Sequence, residues 1–69
     1  MTKTEYLKTT GRKIRKFRIQ AGISIEKLAH RSGIAFYSLS KIEHGRTDFR
    51  ISTIRAIAEG LEIDLKELL

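Results

Sequence analysis

Residues 25–44 read IEKLAHRSGIAFYSLSKIEH and contain two short helical patterns with a turn between them. Apolar residues recur at helical spacing in each pattern, with Leu28 in the first and Leu39 and Ile42 in the second. The turn at residues 32–34 (SGI) includes a glycine and is too short to be an independent linker. The stretch is therefore predicted to form two crossing helices that lock together over a small apolar contact.

Residues that start and stop helices border this stretch. Ser24 can cap the first helix through its hydroxyl, and Gly45 can close the second. A helix pair joined by a three- or four-residue turn with glycine is typical of the helix-turn-helix motif, whose second helix enters the DNA major groove. The pattern thus predicts a DNA-binding protein in which the helix near residues 35–44 contacts the bases.

Length and composition restrict the remaining architecture. The 69 residues support a single domain, residues 1–69, and contain no cysteine, which excludes disulfides and thiolate metal sites. No N-terminal apolar segment resembles a secretory signal, and no apolar run approaches the length of a membrane span. We therefore expect a cytoplasmic protein without a membrane partner.

Charge is distributed unevenly along the chain, whose formal net charge is +6. Residues 1–18 contain seven lysines and arginines against one acidic residue, Glu5, whereas residues 51–69 contain two basic and four acidic residues. This asymmetry favours a polyanionic partner for the basic part, although a solvated basic surface would give the same count.

Helical patterns on either side of the central stretch complete an all-α prediction. Thr2 and Glu5 have capping-box spacing, so the first helix is expected to start at Lys3 and to end at Gly22. The same spacing at residues 64–67 (DLKE) predicts a final short helix. The predicted fold is a compact five-helix bundle, and the core faces of its first and fourth helices are predicted to carry Leu7, Thr10, Ile14, Phe17 and Ala21, and Ile51, Ile54, Ile57, Ala58 and Leu61.

Two ionisable residues fall close to the apolar faces of their helices. At ~100° per residue, Arg18 lies roughly 60° from the middle of the apolar stripe of the first helix, and Glu43 about 70° from the buried direction of the third. A charge at the edge of a core needs a partner, so we predict an ion pair between Arg18 and Glu43. Gly11, which is unfavourable inside a helix, predicts the close approach of a neighbouring element.

The third helix is predicted to expose an unusual set of side chains. Tyr37 is expected almost opposite the buried direction of this helix. Ala35 and Ser38 are instead expected on the side that faces the core. Ala35 and Phe36 suit contacts with thymine methyl groups, whereas hydroxyl and ammonium groups can hydrogen-bond to bases or phosphates. The alternative for Tyr37 is that it only covers the first turn of the helix or packs on a neighbouring element. The predicted base-contacting residues are Ala35, Phe36, Tyr37, Ser40 and Lys41.

Phosphate contacts are expected from helix N-termini and from loop cations. Ser24 opens a helix whose free N–H groups can hold a phosphate, and the loop before the fourth helix is basic. The basic face of the first helix lies on the wrong element to reach the groove, and we interpret it as solvated. The predicted phosphate-binding residues are Ser24, Lys27, His44, Arg46, Thr47 and Arg50.

Over about residues 10–69 the chain resembles the Cro/C1-type, phage-repressor-like helix-turn-helix domains, also called the XRE family. The resemblance rests on IRKFRIQAGIS, LAHRSGI, LSKIEHG and ISTIRAIAEGLEIDLKELL, which follow one another in the family order. It implies a five-helix bundle of the lambda-repressor-like type, and a homodimer on a pseudo-palindromic double-stranded DNA operator. It also implies an ion pair at Arg18 and Glu43, and base contacts by Ala35, Phe36, Tyr37 and Lys41.

The chain departs from this family at several positions. Ile25 stands where a glutamine commonly contacts phosphate, Ala35 where a capping Ser, Thr or Asp is usual, and Phe49 where proline is common. Ser32 stands where large apolar residues are frequent, and a small residue at this position resembles the restriction–modification controller branch of the family. A stand-alone domain of this length resembles phage repressors, antitoxins and restriction–modification controllers, and a controller is the preferred prediction.

Leucines are concentrated in the last residues of the chain. One small core does not need the apolar surface of three further leucines. We therefore predict that Leu65, Leu68 and Leu69 form a dimer interface. The alternative is that they close the core of the monomer.

Other functions are less well supported by the residues. The main alternative is an antitoxin or another protein-interaction module in which DNA binding is secondary. An RNA-binding function is disfavoured because the chain has neither the stacking aromatics nor the GXXG loop of RNA-binding modules. His30 and His44 lie on different helices without a nucleophile or further ligands, so we expect neither an enzyme nor a metal, cofactor or small-molecule ligand.

Overall fold

Four α-helices and one 3-10 turn account for the regular structure of the chain, and the computed structural model describes residues 1–69. No strand is present, so the all-α prediction is confirmed. None of the helices combines the length and the apolar character that crossing a membrane requires. The helices are α1 (Lys3–Gln20), α2 (Ile25–Ser32), α3 (Phe36–Glu43) and α4 (Ile51–Leu61), and the 3-10 turn is Leu65–Glu67.

The fifth helix of the predicted bundle is only this single 3-10 turn. Asp64 makes no side-chain hydrogen bond to the backbone, so the capping box predicted over residues 64–67 is absent. The turn is closed by short-range bonds, such as the one from the Leu68 N–H to the Leu65 carbonyl at 2.9 Å. Such i→i+3 bonding is the usual form of very short helical pieces.

Both ends of α1 follow the predicted chemistry. The Glu5 N–H donates to Thr2 Oγ1 at 3.1 Å, and the Thr2 N–H donates to Glu5 Oε1 at 3.3 Å, which completes the capping box. At the other end Gly22 has φ +71°, and the Ile23 N–H donates to the Arg18 carbonyl at 3.3 Å. Glycine adopts this left-handed conformation at low cost, so the chain can reverse into α2 directly after α1.

The core lies between the helices and includes residues from all of them. Two positions predicted on core faces are instead exposed, namely Ala21 and Ile51, the latter with 61% of its surface accessible. Both lie at a helix end, beyond the region that neighbouring helices cover. The apolar side chains that are fully buried are Ile14, Leu28, Leu39, Ile54, Ile57 and Leu68.

Helices α2 and α4 approach each other closely at Ser32 and Gly60. A Cβ atom at Gly60 would lie 2.6 Å from Ser32 Oγ and 3.1 Å from Leu28 Cδ1. The Ser32 hydroxyl is buried there without a hydrogen-bond partner. Small residues at both positions therefore let the first helix of the motif pack directly on α4.

Helices α1 and α3 come into backbone contact at Gly11, as the glycine inside α1 predicted. A Cβ atom at this position would lie 2.5 Å from the Glu43 carbonyl oxygen and 2.6 Å from the Ile42 carbonyl oxygen. Any side chain at residue 11 would therefore push α3 away. Glycine sets the distance between α1 and the C-terminal half of α3.

Candidate nucleic-acid interface

An ion pair fixes the inner side of α3. Arg18 Nε donates to Glu43 Oε2 at 2.7 Å, and Arg18 Nη2 donates to Glu43 Oε1 at 3.2 Å. Arg18 Nη1 donates to the Ile23 carbonyl at 3.0 Å. The side chains of Arg18 and Glu43 expose only 12% and 2% of their surface. One guanidinium group thus joins α1, the turn before α2, and α3, and its bidentate geometry holds the carboxylate in one orientation.

The outer edge of α3, defined here as Ala35, Phe36 and Tyr37, is exposed. Tyr37 exposes 71% of its surface and Phe36 50%. Ala35 is the N-cap residue and makes no side-chain hydrogen bond. Ala35 and Ser38 were expected near the buried direction, and that expectation is wrong because both lie at the start of α3, ahead of its core contact.

Lys41 extends the outer edge along the same side of α3. Its Nζ atom lies 5.2 Å from the centroid of the Tyr37 ring. Residues four apart on a helix share a face, and an exposed cation–π contact of this kind contributes about 0.5–1 kcal/mol. The contact keeps the ammonium group beside the tyrosine. Ser40, between them in sequence, is half-buried.

An open groove of about 240 Å³ separates α3 from the loop before α4. Lys41 of α3 lines it together with Thr47 and Arg50 of the loop. Arg46 and Arg50 are exposed and neither forms an ion pair, so their charges are available to an anion. The other residues that line the groove are Ser38, Ile42, Asp48, Phe49 and Thr53.

The remaining predicted phosphate ligands lie at two helix ends, and all are exposed. Ser24 Oγ accepts a hydrogen bond from the Lys27 N–H at 3.1 Å and caps α2 as expected. His44 Nδ1 lies 2.7 Å from the Ser40 carbonyl oxygen. This contact assigns the proton to Nδ1 and leaves Nε2 free. No group of three or more potential metal ligands is present.

The start of α1 contacts the loop before α4 through two pairs of side chains, Lys3 with Asp48 and Tyr6 with Phe49. We call these four residues the brace, and no sequence pattern indicated it. Lys3 Nζ lies 3.0 Å from Asp48 Oδ2, and the rings of Tyr6 and Phe49 pack with centroids 6.1 Å apart. The hydrogen bond from Lys3, followed by one from the Phe49 N–H, lowers the pKa of the Asp48 carboxyl below its ordinary value. The brace holds residues 46–50, which include two of the exposed arginines.

The C-terminal leucines do not form one surface. Leu68 is fully buried in the monomer core, so its prediction as a dimer-interface residue is wrong. The 3-10 turn packs against α4, which directs this side chain inward. Leu65 packs partly on the same core, and Leu69 exposes 52% of its surface. Only Leu69 and part of Leu65 are accessible to a partner.

Solved structures of two regulators are similar to this fold. The restriction-modification controller protein C.AhdI from Aeromonas hydrophila matches with a TM-score of 0.89 and 30% sequence identity, over 91% of this chain and 96% of that one. The wild-type restriction-modification controller protein C.Esp1396I matches with a TM-score of 0.85 and 27% identity, over 91% and 85% of the two chains.

Sequence comparison agrees with the structural matches. The HTH-type transcriptional regulator SlrR from Bacillus subtilis (strain 168) is 41% identical over 59 residues, and the match covers 84% of this chain. The chain spans only 39% of the length of SlrR. The HTH_3 helix-turn-helix family matches residues 14–68, which include the whole of α2, α3 and α4. The chain therefore belongs to the HTH_3 family of Cro/C1-type helix-turn-helix domains, which are the DNA-binding domains of transcription regulators.

Proposed function

We propose that the protein is a sequence-specific transcriptional regulator that binds a pseudo-palindromic double-stranded DNA operator as a homodimer. In each subunit α3 lies in the major groove, with its N-terminal residues against the base edges, as recognition helices do. The two-fold symmetry of the dimer then matches two half-sites of the operator.

The observation that carries this proposal is the surface charge of the motif together with the fixed position of α3. Residues 25–50 contain five lysines and arginines and three acidic residues, of which Glu43 is buried against Arg18 and Asp48 is paired with Lys3. The exposed charge of this segment is therefore mainly basic. A rigid helix with one free edge, set among cations, suits the groove of a polyanion.

We divide the DNA contacts between two groups of residues. The outer edge of α3 contacts bases, and residues at helix ends and in the loop before α4 contact phosphates. The base contacts are assigned to Ala35, Phe36, Tyr37, Ser40 and Lys41. The phosphate contacts are assigned to Ser24, Lys27, His44, Arg46, Thr47 and Arg50.

Within the family we propose the role of a restriction–modification controller. The similarity to C.AhdI supports it because the match covers nearly all of both chains. The close contact of Ser32 with Gly60 also supports it, since a small residue at position 32 is the feature that resembles the controller branch. The subunit contact is assigned to a surface that includes Leu69 and the accessible part of Leu65.

In vitro selection of bound DNA from a random pool tests the proposal. The purified chain is expected to enrich one motif with two half-sites related by two-fold symmetry. Sedimentation of the protein with the selected duplex is expected to give two subunits per duplex. If no sequence is enriched, specific DNA recognition is wrong, and if a single unrepeated half-site is enriched, the homodimer is wrong.

A protein-interaction role is the second candidate, because the exposed rings of Phe36 and Tyr37 would also suit a protein surface. The salt dependence of DNA binding separates the two candidates, because a domain that mainly binds protein would show only weak, non-specific DNA binding.

We expect Arg46→Ala to weaken binding to all sequences alike, and to flatten the slope of log K against log salt by about one unit. Arg12→Ala, which removes an exposed charge of α1, is the matched control and should leave the slope unchanged. An unchanged slope in Arg46→Ala would exclude this residue as a phosphate ligand.

A further inference from the structure

The outer edge of α3 lacks the side chains that recognise bases through paired hydrogen bonds. Bidentate contacts in the major groove come mainly from Arg or Lys to guanine and from Asn or Gln to adenine. Residues 35–40 read AFYSLS and contain none of these. Lys41 is the only cation within α3, and its ammonium group lies over the Tyr37 ring. Paired hydrogen bonding is therefore not the main chemistry of this edge.

Apolar surface occupies the edge instead, and the fold gains little from it. The core contacts of α3 are made by Leu39 and Ile42, whereas Phe36 is half exposed. A capping Ser, Thr, Asp or Asn at position 35 would stabilise α3, yet the chain carries a methyl group there. Ala35 and Phe36 therefore expose apolar groups at the N-terminal end of α3, which is the end proposed to contact the base edges.

The apolar group that the major groove offers is the 5-methyl group of thymine, and alanine and phenylalanine side chains are suited to contact it. We infer that the outer edge of α3 selects thymine through this methyl group, with Phe36 as the main contact and Ala35 beside it. The inference rests on the proposed function, because it names the bases that the same site selects. The basic charges exposed between Lys27 and Thr47 favour DNA over an apolar protein surface as the occupant.

Replacing thymine by deoxyuridine isolates the contribution of the methyl group. Uracil keeps the hydrogen-bonding groups of thymine and pairs with adenine in the same way, so the only change in the groove is the lost methyl. 5-Methylcytosine carries a methyl group at the same ring position. A change from thymine to 5-methylcytosine should therefore retain more affinity than a change to cytosine.

The experiment measures the affinity of the wild-type chain for the selected operator and for copies with single thymines replaced by deoxyuridine. Replacing a thymine that the outer edge contacts by deoxyuridine should lower the affinity about fourfold. This loss corresponds to the ~0.8 kcal/mol of one buried methyl-sized group. Phe36→Ala should bring the ratio of thymine to deoxyuridine affinity close to one. Ile19→Ala, which removes an exposed apolar side chain from α1, is the matched control and should keep the wild-type ratio.

The outcomes separate this inference from the proposed function. Equal binding of the thymine and deoxyuridine operators by the wild-type chain overturns the inference, while the enriched motif still supports a sequence-specific regulator. A ratio that persists in Phe36→Ala, with a helical circular dichroism spectrum like that of the wild type, overturns the role of Phe36. A random pool that yields no motif overturns the proposed function itself.

Discussion

The inner and outer sides of α3 differ in how firmly their residues are held. On the inner side, Gly11 allows backbone contact with α1, and Arg18 binds the buried Glu43 through two hydrogen bonds. On the outer side, Ala35 provides no cap and Tyr37 is mostly exposed. A helix of eight residues thus has its stabilising contacts on one side and the residues proposed to contact bases on the other. Because the inner contacts fix the helix, the outer residues need not contribute to folding.

The strongest test of this comparison removes the acidic partner on the inner side. Glu43→Ala leaves Arg18 buried without its counter-charge, so the free energy of unfolding should fall by about 3–5 kcal/mol. Urea denaturation measures the change. The double variant Arg18→Met with Glu43→Leu removes both charges and should recover most of the lost stability. A loss below about 1 kcal/mol in the single variant would show that the pair does not fix α3.

On the outer side, Tyr37→Ala should produce the opposite pattern. Specific operator binding should weaken by about 1–3 kcal/mol. The free energy of unfolding should change by less than about 0.5 kcal/mol, because the side chain is mostly exposed. Fluorescence anisotropy with operator and random duplexes measures the binding. Tyr37→Phe keeps the ring beside Lys41 and separates the role of the hydroxyl. An equal loss on random DNA would mean that Tyr37 does not contact bases.

A substitution at the N-cap should exchange recognition for stability. In Ala35→Ser the hydroxyl can accept a hydrogen bond from the first turn of α3, so the free energy of unfolding should rise by about 1 kcal/mol. The same change replaces a methyl group of the outer edge by a polar group, so operator binding should weaken. Thermal denaturation and operator titration of the same variant measure both effects. If the variant is more stable and binds the operator as well as the wild type, Ala35 makes no base contact.

The smallest effect is expected at the brace between α1 and the loop. Because the pKa of Asp48 is lowered in the folded chain, its contacts stabilise the fold above the ordinary value of 3.8. This contribution is lost as the pH falls through the lowered folded-state value. The stability advantage of the wild type over Asp48→Asn should thus be present at neutral pH and disappear in acid. Exposed pairs are screened, so added salt should also reduce it. An advantage that stays constant with pH would contradict the ionic origin.

Patterns confined to one helix were predicted well because their physics is local. The capping box at Thr2 and Glu5 forms, Gly22 reverses the chain, and Ser24 caps α2. The Arg18–Glu43 pair was also accessible, since helical geometry places both charges at the edge of an apolar face. The same reasoning failed at Asp64, where the capping-box spacing is present but the side chain makes no backbone hydrogen bond. Spacing permits a cap, whereas the hydrogen bond also depends on how the following residues fold.

The sequence by itself determined the four α-helices, the glycine turns between them, the helix-turn-helix motif and the pairing of Arg18 with Glu43 at the edge of the core. These follow from periodicity, capping chemistry and the cost of an unpaired charge, which act over a few residues or one helix face. Only the tertiary structure decided that Leu68 belongs to the monomer core, that Lys3 and Tyr6 hold the loop before α4, and that Lys41 and Arg50 share a groove. Those contacts join residues of different elements, and they depend on the angles at which the helices pack, which no local pattern encodes.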